Sequence, residues 1–125
     1  TGSTRMKAAT AQKIVLNALS TATMVRLGKT YENLMIDVRA TNEKLVARTV
    51  RILRQAAGVS ADDALAALEA TDREVRPALV LLLAGASHDH AALARALTRE
   101  YAPDPRRTGD ASGIRSAVAA LQERL

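Results

Sequence analysis

Four side chains near the start of the chain, in the segment TGSTRMKAATAQK, have the chemistry of an anion-binding site. Ser3 and Thr4 carry hydroxyl groups, and Arg5 and Lys7 carry positive charges. Gly2 lets the backbone approach a ligand closely, and the free N–H groups at the start of a helix add partial positive charge. The segment therefore suits a phosphate or a carboxylate, although it lacks the G-x-x-x-x-G-K-[ST] spacing of a Walker A loop. An ordinary loop that caps a helix is the alternative.

The net charge of +5 is concentrated beside this segment. The first 30 residues hold five basic residues and no acidic one, and the other thirteen basic residues are balanced by thirteen acidic residues. An anionic ligand would be favoured near such an excess, and a solvated cationic surface is the alternative. Because the chain has no cysteine, disulfide bonds and thiolate catalysis are excluded within it.

Two other polar groups give weaker signals. The tripeptide His88-Asp89-His90 contains metal-ligand types without further ligand spacing, so we predict no metal site there. Arg48, Arg51 and Arg54 recur at helical spacing and could meet nucleic acid. No aromatic stacking residue accompanies them, so a solvated helix face is the better interpretation, and we predict no nucleic-acid partner.

The candidate site precedes a long apolar segment. Thr10–Leu27 predicts one helix whose apolar residues cover too many sides for a surface helix, so it should be buried on most sides, like an element that covers a sheet. Gly28 should end this helix. The connector Tyr31–Asn42 is either a short edge strand or a packed loop, and periodicity does not separate the two.

Three helices joined by very short turns follow, and they predict a three-helix bundle. Asn42 or Thr41 should cap the first, and Ser60 with Asp63 the second. Thr71 with Glu74 fits a capping box for the third, and a proline at position 77 should shift its start or kink it. The predicted helices are Glu43–Ala57, Ala61–Ala70 and Asp72–Ala84.

The last third of the chain predicts two more helices. Ser87 should cap a helix over Asp89–Tyr101, and a loop rich in Pro, Gly and Asp at 102–113 precedes a final helix over Ile114–Leu125. The hydrophobic residues are mostly Ala, Leu and Val, with no Phe or Trp, which suits helical packing. No apolar run reaches the roughly 18 residues of a membrane span, and we expect no secretory leader, because no charged segment followed by an apolar one is seen. We expect a soluble, cytoplasmic protein.

The segment GSTRMKAATAQKIVLNALSTATMVRLGKTYENLMIDVRATNEKL, residues 2–45, closely resembles the signature region of the N-acetylmuramic acid 6-phosphate etherases. The glucokinase regulatory proteins share this signature in looser form. The likeness continues more weakly through the predicted bundle and ends with GIRSA at 113–117. Ala9 stands where the family usually has Gly, and the Pro-rich loop is longer than usual.

This resemblance implies a fold and a division into domains. Members have a sugar-isomerase (SIS) α/β/α sandwich followed by a small helical domain similar to ubiquitin-associated (UBA) bundles. The chain itself is expected to be mainly α. Residues 1–41, the long buried helix and the connector, would be the C-terminal remnant of the SIS sugar-phosphate domain. Residues 42–86 would be the UBA-like three-helix bundle, and 87–125 two terminal helices with the Pro-rich loop.

The resemblance also implies an activity. Members are cytoplasmic, homodimeric lyases that cleave the D-lactyl ether of N-acetylmuramic acid 6-phosphate during cell-wall recycling, releasing N-acetylglucosamine 6-phosphate and D-lactate. The reaction is elimination followed by water addition, with glutamates as acid and base and without a metal or organic cofactor. Paired carboxylates suit it, since one must hold a proton and the other must take one.

The family's serine-rich phosphate loop and its catalytic glutamates belong to a part that would precede Gly2. No glutamate of this chain sits in a matching context. We therefore assign no catalytic residue here and expect the chain to be inactive by itself, as the C-terminal portion of such an enzyme. Ser3, Thr4, Arg5 and Lys7 are predicted to bind the phosphorylated amino sugar.

Three alternatives remain at this point. The same fold could bind a sugar phosphate without turnover, as a regulatory protein does. The helical bundle could be a protein-interaction module. A basic bundle that binds nucleic acid would rest on charge alone and would show salt-sensitive binding.

Overall fold

The structure, a computed structural model, describes residues 4–125. These residues are mainly helical, as the sequence predicts, with one two-stranded antiparallel sheet. In chain order the elements are α1 (Thr4–Arg26), β1 (Thr30–Tyr31), β2 (Leu34–Met35), α2 (Glu43–Ala57), α3 (Ala61–Ala70), α4 (Val75–Leu83), α5 (Ala91–Glu100) and α6 (Ile114–Gln122). A short 3₁₀ turn, His88–His90, precedes α5.

Helix α1 begins six residues earlier than Thr10, the start that the sequence predicted. The intervening residues include Met, Lys and Ala, which favour a helix as strongly as those that follow. The predicted end is confirmed. Gly28 has φ +74°, its N–H donates to the Val25 carbonyl at 3.1 Å, and the Lys29 N–H donates to the Met24 carbonyl at 3.0 Å. This pair of bonds is a Schellman motif, which satisfies carbonyls at the end of the helix.

The burial predicted for α1 is not seen within the described residues. None of its residues is buried, and Ile14, Leu16 and Leu19 are 60–65% exposed. The reason is that the rest of the described chain packs against the C-terminal end of α1 and not along its length. The helix therefore presents apolar side chains on several sides without a covering element among residues 4–125.

The connector after α1 combines the two forms that the sequence left open. Strands β1 and β2 form a hairpin in which Thr30 pairs with Met35 and Tyr31 with Leu34. The next residues run as a packed segment, because Ile36 and Ala40 are fully or almost fully buried. A single antiparallel bridge joins Arg39 to Glu74. The connector is thus held against the start of α4.

Two of the predicted helix caps are confirmed. Asn42, rather than Thr41, caps α2, because its Oδ1 accepts the Leu45 N–H at 2.9 Å. The Ser60 hydroxyl accepts the Asp63 N–H at 3.1 Å at the start of α3. Each side chain satisfies a donor that the first helical turn leaves without a partner.

The capping box predicted for the third helix of the bundle is wrong. The Thr71 hydroxyl donates to carbonyls at the end of α3 instead, at 2.9 Å for Ala67. Asp72 and Arg73 have φ of +54° and +61°, so the chain reverses there and α4 begins only at Val75. The predicted shift by Pro77 is confirmed. Proline fits the first turn, where its missing N–H would have no helical partner.

The predicted start of the next helix and the end of the last one also need correction. Ser87 makes no capping hydrogen bond. Its hydroxyl lies 3.1 Å from His90 Nδ1, and the 3₁₀ turn places the start of α5 at Ala91 instead of Asp89. Helix α6 starts at Ile114 as predicted and ends at Gln122, three residues short of the predicted end, as helix termini commonly fray.

One hydrophobic core connects the packed segment of the connector with α2 to α6. Its members are small aliphatic side chains, and the largest that are fully buried include Ile36, Leu53, Leu68, Leu79, Leu97, Ile114 and Leu121. Helix α4 is the most deeply buried element, with Val75 and Pro77–Leu81 all buried. Within residues 4–125, no helix has both the length and the apolar character that a membrane crossing needs.

Candidate functional site

Three of the four predicted ligand-binding residues lie in the first turn of α1. Thr4, Arg5 and Lys7 are all exposed, whereas Ser3 lies outside the described residues. Residues three apart on a helix face the same side, and residues two apart do not. Thr4 and Lys7 are therefore neighbours on one side of α1, and Arg5 projects from a different side.

The first described turn of α1 carries two cationic side chains, those of Arg5 and Lys7. This turn contains no acidic residue, and the first N–H groups of a helix have no intrahelical acceptor. Their partial positive charge adds to the charge of Arg5 and Lys7. Such an arrangement can bind a phosphate or a carboxylate, but it offers no carboxyl group for proton transfer.

The glutamates of the chain lie away from this turn, and two of them are paired with arginines. Glu32, at the hairpin turn, accepts a hydrogen bond from Arg115 at 2.7 Å, and Glu74 accepts one from Arg95 at 3.2 Å. The remaining four are in α2, α3 and α5 and just after α6. Neither of these two hydrogen bonds involves a residue of the first turn of α1.

The structure also places the two weaker candidates from the sequence, which are the His88–His90 tripeptide and the three arginines of α2. His90 Nδ1 is engaged with the Ser87 hydroxyl. Across residues 4–125, no group of three or more His, Cys, Asp or Glu side chains has an arrangement that could hold a metal ion. Arg48, Arg51 and Arg54 are exposed on α2.

Sequence reasoning missed Arg76, which lies where the end of α1, the connector and the Pro-rich loop meet. Its Nη1 donates to the Gly28 carbonyl at 3.3 Å, and its Nη2 donates to the Ser112 carbonyl. Burial lowers the pKa of Arg76, while Asp37 and Asp110 act in the opposite direction. A charged residue just before Pro77 in the otherwise apolar α4 was the only sequence signal.

An open cavity of about 330 Å³ lies beside Arg76. It is lined by residues 36–39 of the connector and residues 74–76 at the start of α4. Its charged side chains are of both signs, Asp37 and Glu74 against Arg39 and Arg76, so it has no strong preference for an anion.

Asp110 organises the loop on the other side of Arg76. Its Oδ2 accepts the Ser116 hydroxyl at 2.7 Å and the Ser116 N–H at 2.9 Å, and its Oδ1 accepts the Arg115 N–H at 3.2 Å. Burial by itself would raise the pKa of Asp110, but these hydrogen bonds outweigh it and hold the pKa below its ordinary value. Asp110 thereby caps α6 and fixes the loop that Arg76 contacts.

Comparison with known proteins identifies close relatives of most of the chain. Over 91 residues, which are 73% of this chain, it is 60% identical to the N-acetylmuramic acid 6-phosphate etherases of Yersinia pestis (strain Pestoides F) and Yersinia pseudotuberculosis serotype O:1b (strain IP 31758). The matched residues are 31% of each relative and belong to its C-terminal part. The chain thus spans less than a third of the curated relatives that it matches, and the resemblance noted from its first 45 residues is confirmed. No protein-family model matches the chain.

Proposed function

We propose, from its likeness to the etherases, that this chain forms the C-terminal part of a lyase that acts on N-acetylmuramic acid 6-phosphate. The enzyme would cleave the D-lactyl ether and release D-lactate and N-acetylglucosamine 6-phosphate during peptidoglycan recycling. The observation that carries the proposal is the 60% identity to proteins of that name. Identity at this level extends over most of the chain, so it is not confined to one short motif.

Binding of the phosphorylated amino sugar is the role that we propose for the start of the chain. Ser3, Thr4, Arg5 and Lys7 would contact or shape the site of the anionic group, since they combine hydroxyl donors with positive charge at a helix N-terminus. A charge-assisted hydrogen bond to phosphate is stronger than a neutral one. The two cationic residues should therefore contribute most to affinity.

Proton transfer is assigned to no residue of this chain. Elimination of the lactyl ether needs a base that takes a proton and an acid that protonates the leaving oxygen. We propose that glutamates outside this chain supply both. The SIS fold of the whole enzyme, its homodimeric assembly, its cytoplasmic location and the UBA-like character of residues 42–86 are parts of the same proposal.

Release of D-lactate is the direct test. The protein that contains this chain is incubated with N-acetylmuramic acid 6-phosphate, and D-lactate and N-acetylglucosamine 6-phosphate are measured over time. We expect the two products in equal amounts and none from unphosphorylated N-acetylmuramic acid. Binding of the sugar phosphate without release of lactate would support a regulatory protein instead. Absence of both binding and release would refute the proposal.

A further inference from the structure

We infer that Arg76 is a positioning residue that fixes the direction of α1 relative to the helices that follow. It would thereby place the first turn of α1, which carries the proposed anion-binding residues. The structural part of this inference depends only on contacts in the described chain. Its consequence for substrate binding rests on the proposed function.

The guanidinium group of Arg76 joins two segments that are distant in sequence. One side of its planar fork donates to the Gly28 carbonyl, at the end of α1, and the other to the Ser112 carbonyl, just before α6. The fork geometry of arginine allows both bonds at once, which the single ammonium of lysine reproduces less well. Arg76 itself is anchored in α4, the most buried helix. It therefore ties the end of α1 to two elements of the core.

The backbones of the two segments that Arg76 joins are in direct contact. Gly28 is buried, and a Cβ atom at its position would collide with the Ala111 carbonyl. Carbonyl groups held this closely are shielded from water and lose free energy unless a donor reaches them. Arg76 supplies those donors. The close approach and the hydrogen bonds thus depend on each other.

The other ion pairs near this point are more exposed and restrain α1 less. Lys29 pairs with Asp37 of the connector at 2.7 Å, but their side chains are 37% and 44% exposed. Arg115 pairs with Glu32 at 2.7 Å, with both side chains 58% exposed. Exposed pairs of this kind contribute little to stability, because solvent screens them. Arg76 is the more buried link, and it contacts the end of α1 directly.

Because α1 is long, a small rotation at its C-terminal end displaces its first turn by several ångströms. A helix of 23 residues is about 35 Å long, so a rotation of about 5° at Gly28 displaces Thr4 by about 3 Å. Displacement of a binding group by as little as about 1 Å can reduce catalysis by about a hundredfold. Because no residue of α1 is buried within the described chain, its attachment at Gly28 governs its direction relative to α2–α6.

A distance measurement tests the structural part. The chain has no cysteine, so spin labels at Ala8→Cys on α1 and Gln55→Cys on α2 occupy the only thiols in it. We expect one narrow distribution of the distance between the two labels in the otherwise unchanged protein. In Arg76→Gln we expect this distribution to broaden or to shift by several ångströms, about as far as the estimated displacement of Thr4. Arg76→Lys should be intermediate. Arg106→Gln is the matched control, because Arg106 pairs with Asp104 in its own loop and should change nothing.

Kinetics tests the link to substrate. We expect Arg76→Gln to raise KM for N-acetylmuramic acid 6-phosphate by about tenfold, well below its unfolding temperature, with Arg76→Lys recovering part of the loss. If Arg76→Gln does not fold, Arg76→Lys carries both measurements. An unchanged distance distribution in the Arg76 variants would overturn the inference. A changed distribution with unchanged KM would overturn the link to substrate. A wild-type protein that releases no D-lactate would refute the proposed function, and the distance result would still decide the role of Arg76.

Discussion

At the scale of single residues, several arginines of this chain hold distant segments together, whereas the cationic residues at the start of α1 are exposed. Arg76, Arg95 and Arg115 are engaged with carbonyls or carboxylates of the chain. Lys7 and Arg5 lie in an exposed first turn that contains no acidic residue. We propose Arg5 and Lys7 for substrate recognition, because both side chains lie outside the core in the first described turn of α1.

Removing the Arg5 side chain should weaken substrate binding. We expect Arg5→Ala to raise KM for N-acetylmuramic acid 6-phosphate about tenfold or more, since a hydrogen bond to a charged group contributes about 1.5–3 kcal/mol. Lys7→Ala should act in the same direction. The measurement is steady-state release of D-lactate by the protein that contains this chain.

The matched control for both variants is Arg51→Ala. Arg51 is exposed on α2, so its removal lowers the net charge by the same amount at a place away from the first turn of α1. If Arg5→Ala, Lys7→Ala and Arg51→Ala all leave KM at the wild-type value, the proposed binding role of these residues is wrong. An equal effect of all three would indicate a response to net charge only.

At the scale of elements, two glycines with similar backbone angles end helices in different surroundings. Gly28 ends α1 with φ +74°, and a Cβ atom there would collide with the Ala111 carbonyl. Gly58 ends α2 with φ +67° and has open space at the same position. Left-handed backbone angles cost an L-residue about 1–2 kcal/mol. Substituting each glycine by alanine therefore distinguishes the cost of the backbone angle from the cost of disturbing a close contact.

We expect Gly58→Ala to lower the free energy of unfolding by about 1 kcal/mol, from the backbone angle alone. Gly28→Ala should cost about 1–3 kcal/mol more, because it must also push the loop before α6 away from the end of α1. Urea unfolding of the two variants beside the wild type measures the difference. Equal losses would show that the contact between Gly28 and the loop does not contribute to stability.

At the scale of the whole molecule, the described residues combine a well-packed core with one uncovered helix. The core joins α2 to α6, whereas the apolar side chains of α1 are exposed on several sides. Contiguous apolar surface of this kind is uncommon on a monomer and promotes association. The predicted homodimer and the predicted covering sheet would each bury such a surface, and both remain proposals.

We expect the 125-residue chain by itself to associate in a concentration-dependent way through α1. Sedimentation velocity should show oligomers or aggregates in the micromolar range, and Val15→Gln with Leu19→Gln should shift the chain towards monomer because both side chains are more than half exposed. The control is Leu65→Gln, which changes an exposed leucine of α3. A wild-type chain that stays monomeric would contradict this expectation.

The sequence by itself determined the local features of this protein. Asn42, Ser60 and the glycines at positions 28 and 58 mark helix ends through chemistry within a few residues, so these boundaries were predictable. The order of residues 2–45 was also enough to indicate the etherase family. Local patterns did less well at Thr71, whose hydroxyl bonds back to α3 although the spacing to Glu74 fitted a capping box.

Only the tertiary structure decided which distant segments meet. Arg76 contacts carbonyls at Gly28 and Ser112, and no local pattern in the sequence shows that these positions converge. The exposure of α1 was decided in the same way, because burial depends on which elements are present to cover a helix, and its apolar pattern predicted a cover that the described residues do not supply. Periodicity encodes what a helix can bury, whereas the arrangement of the other elements determines what it does bury.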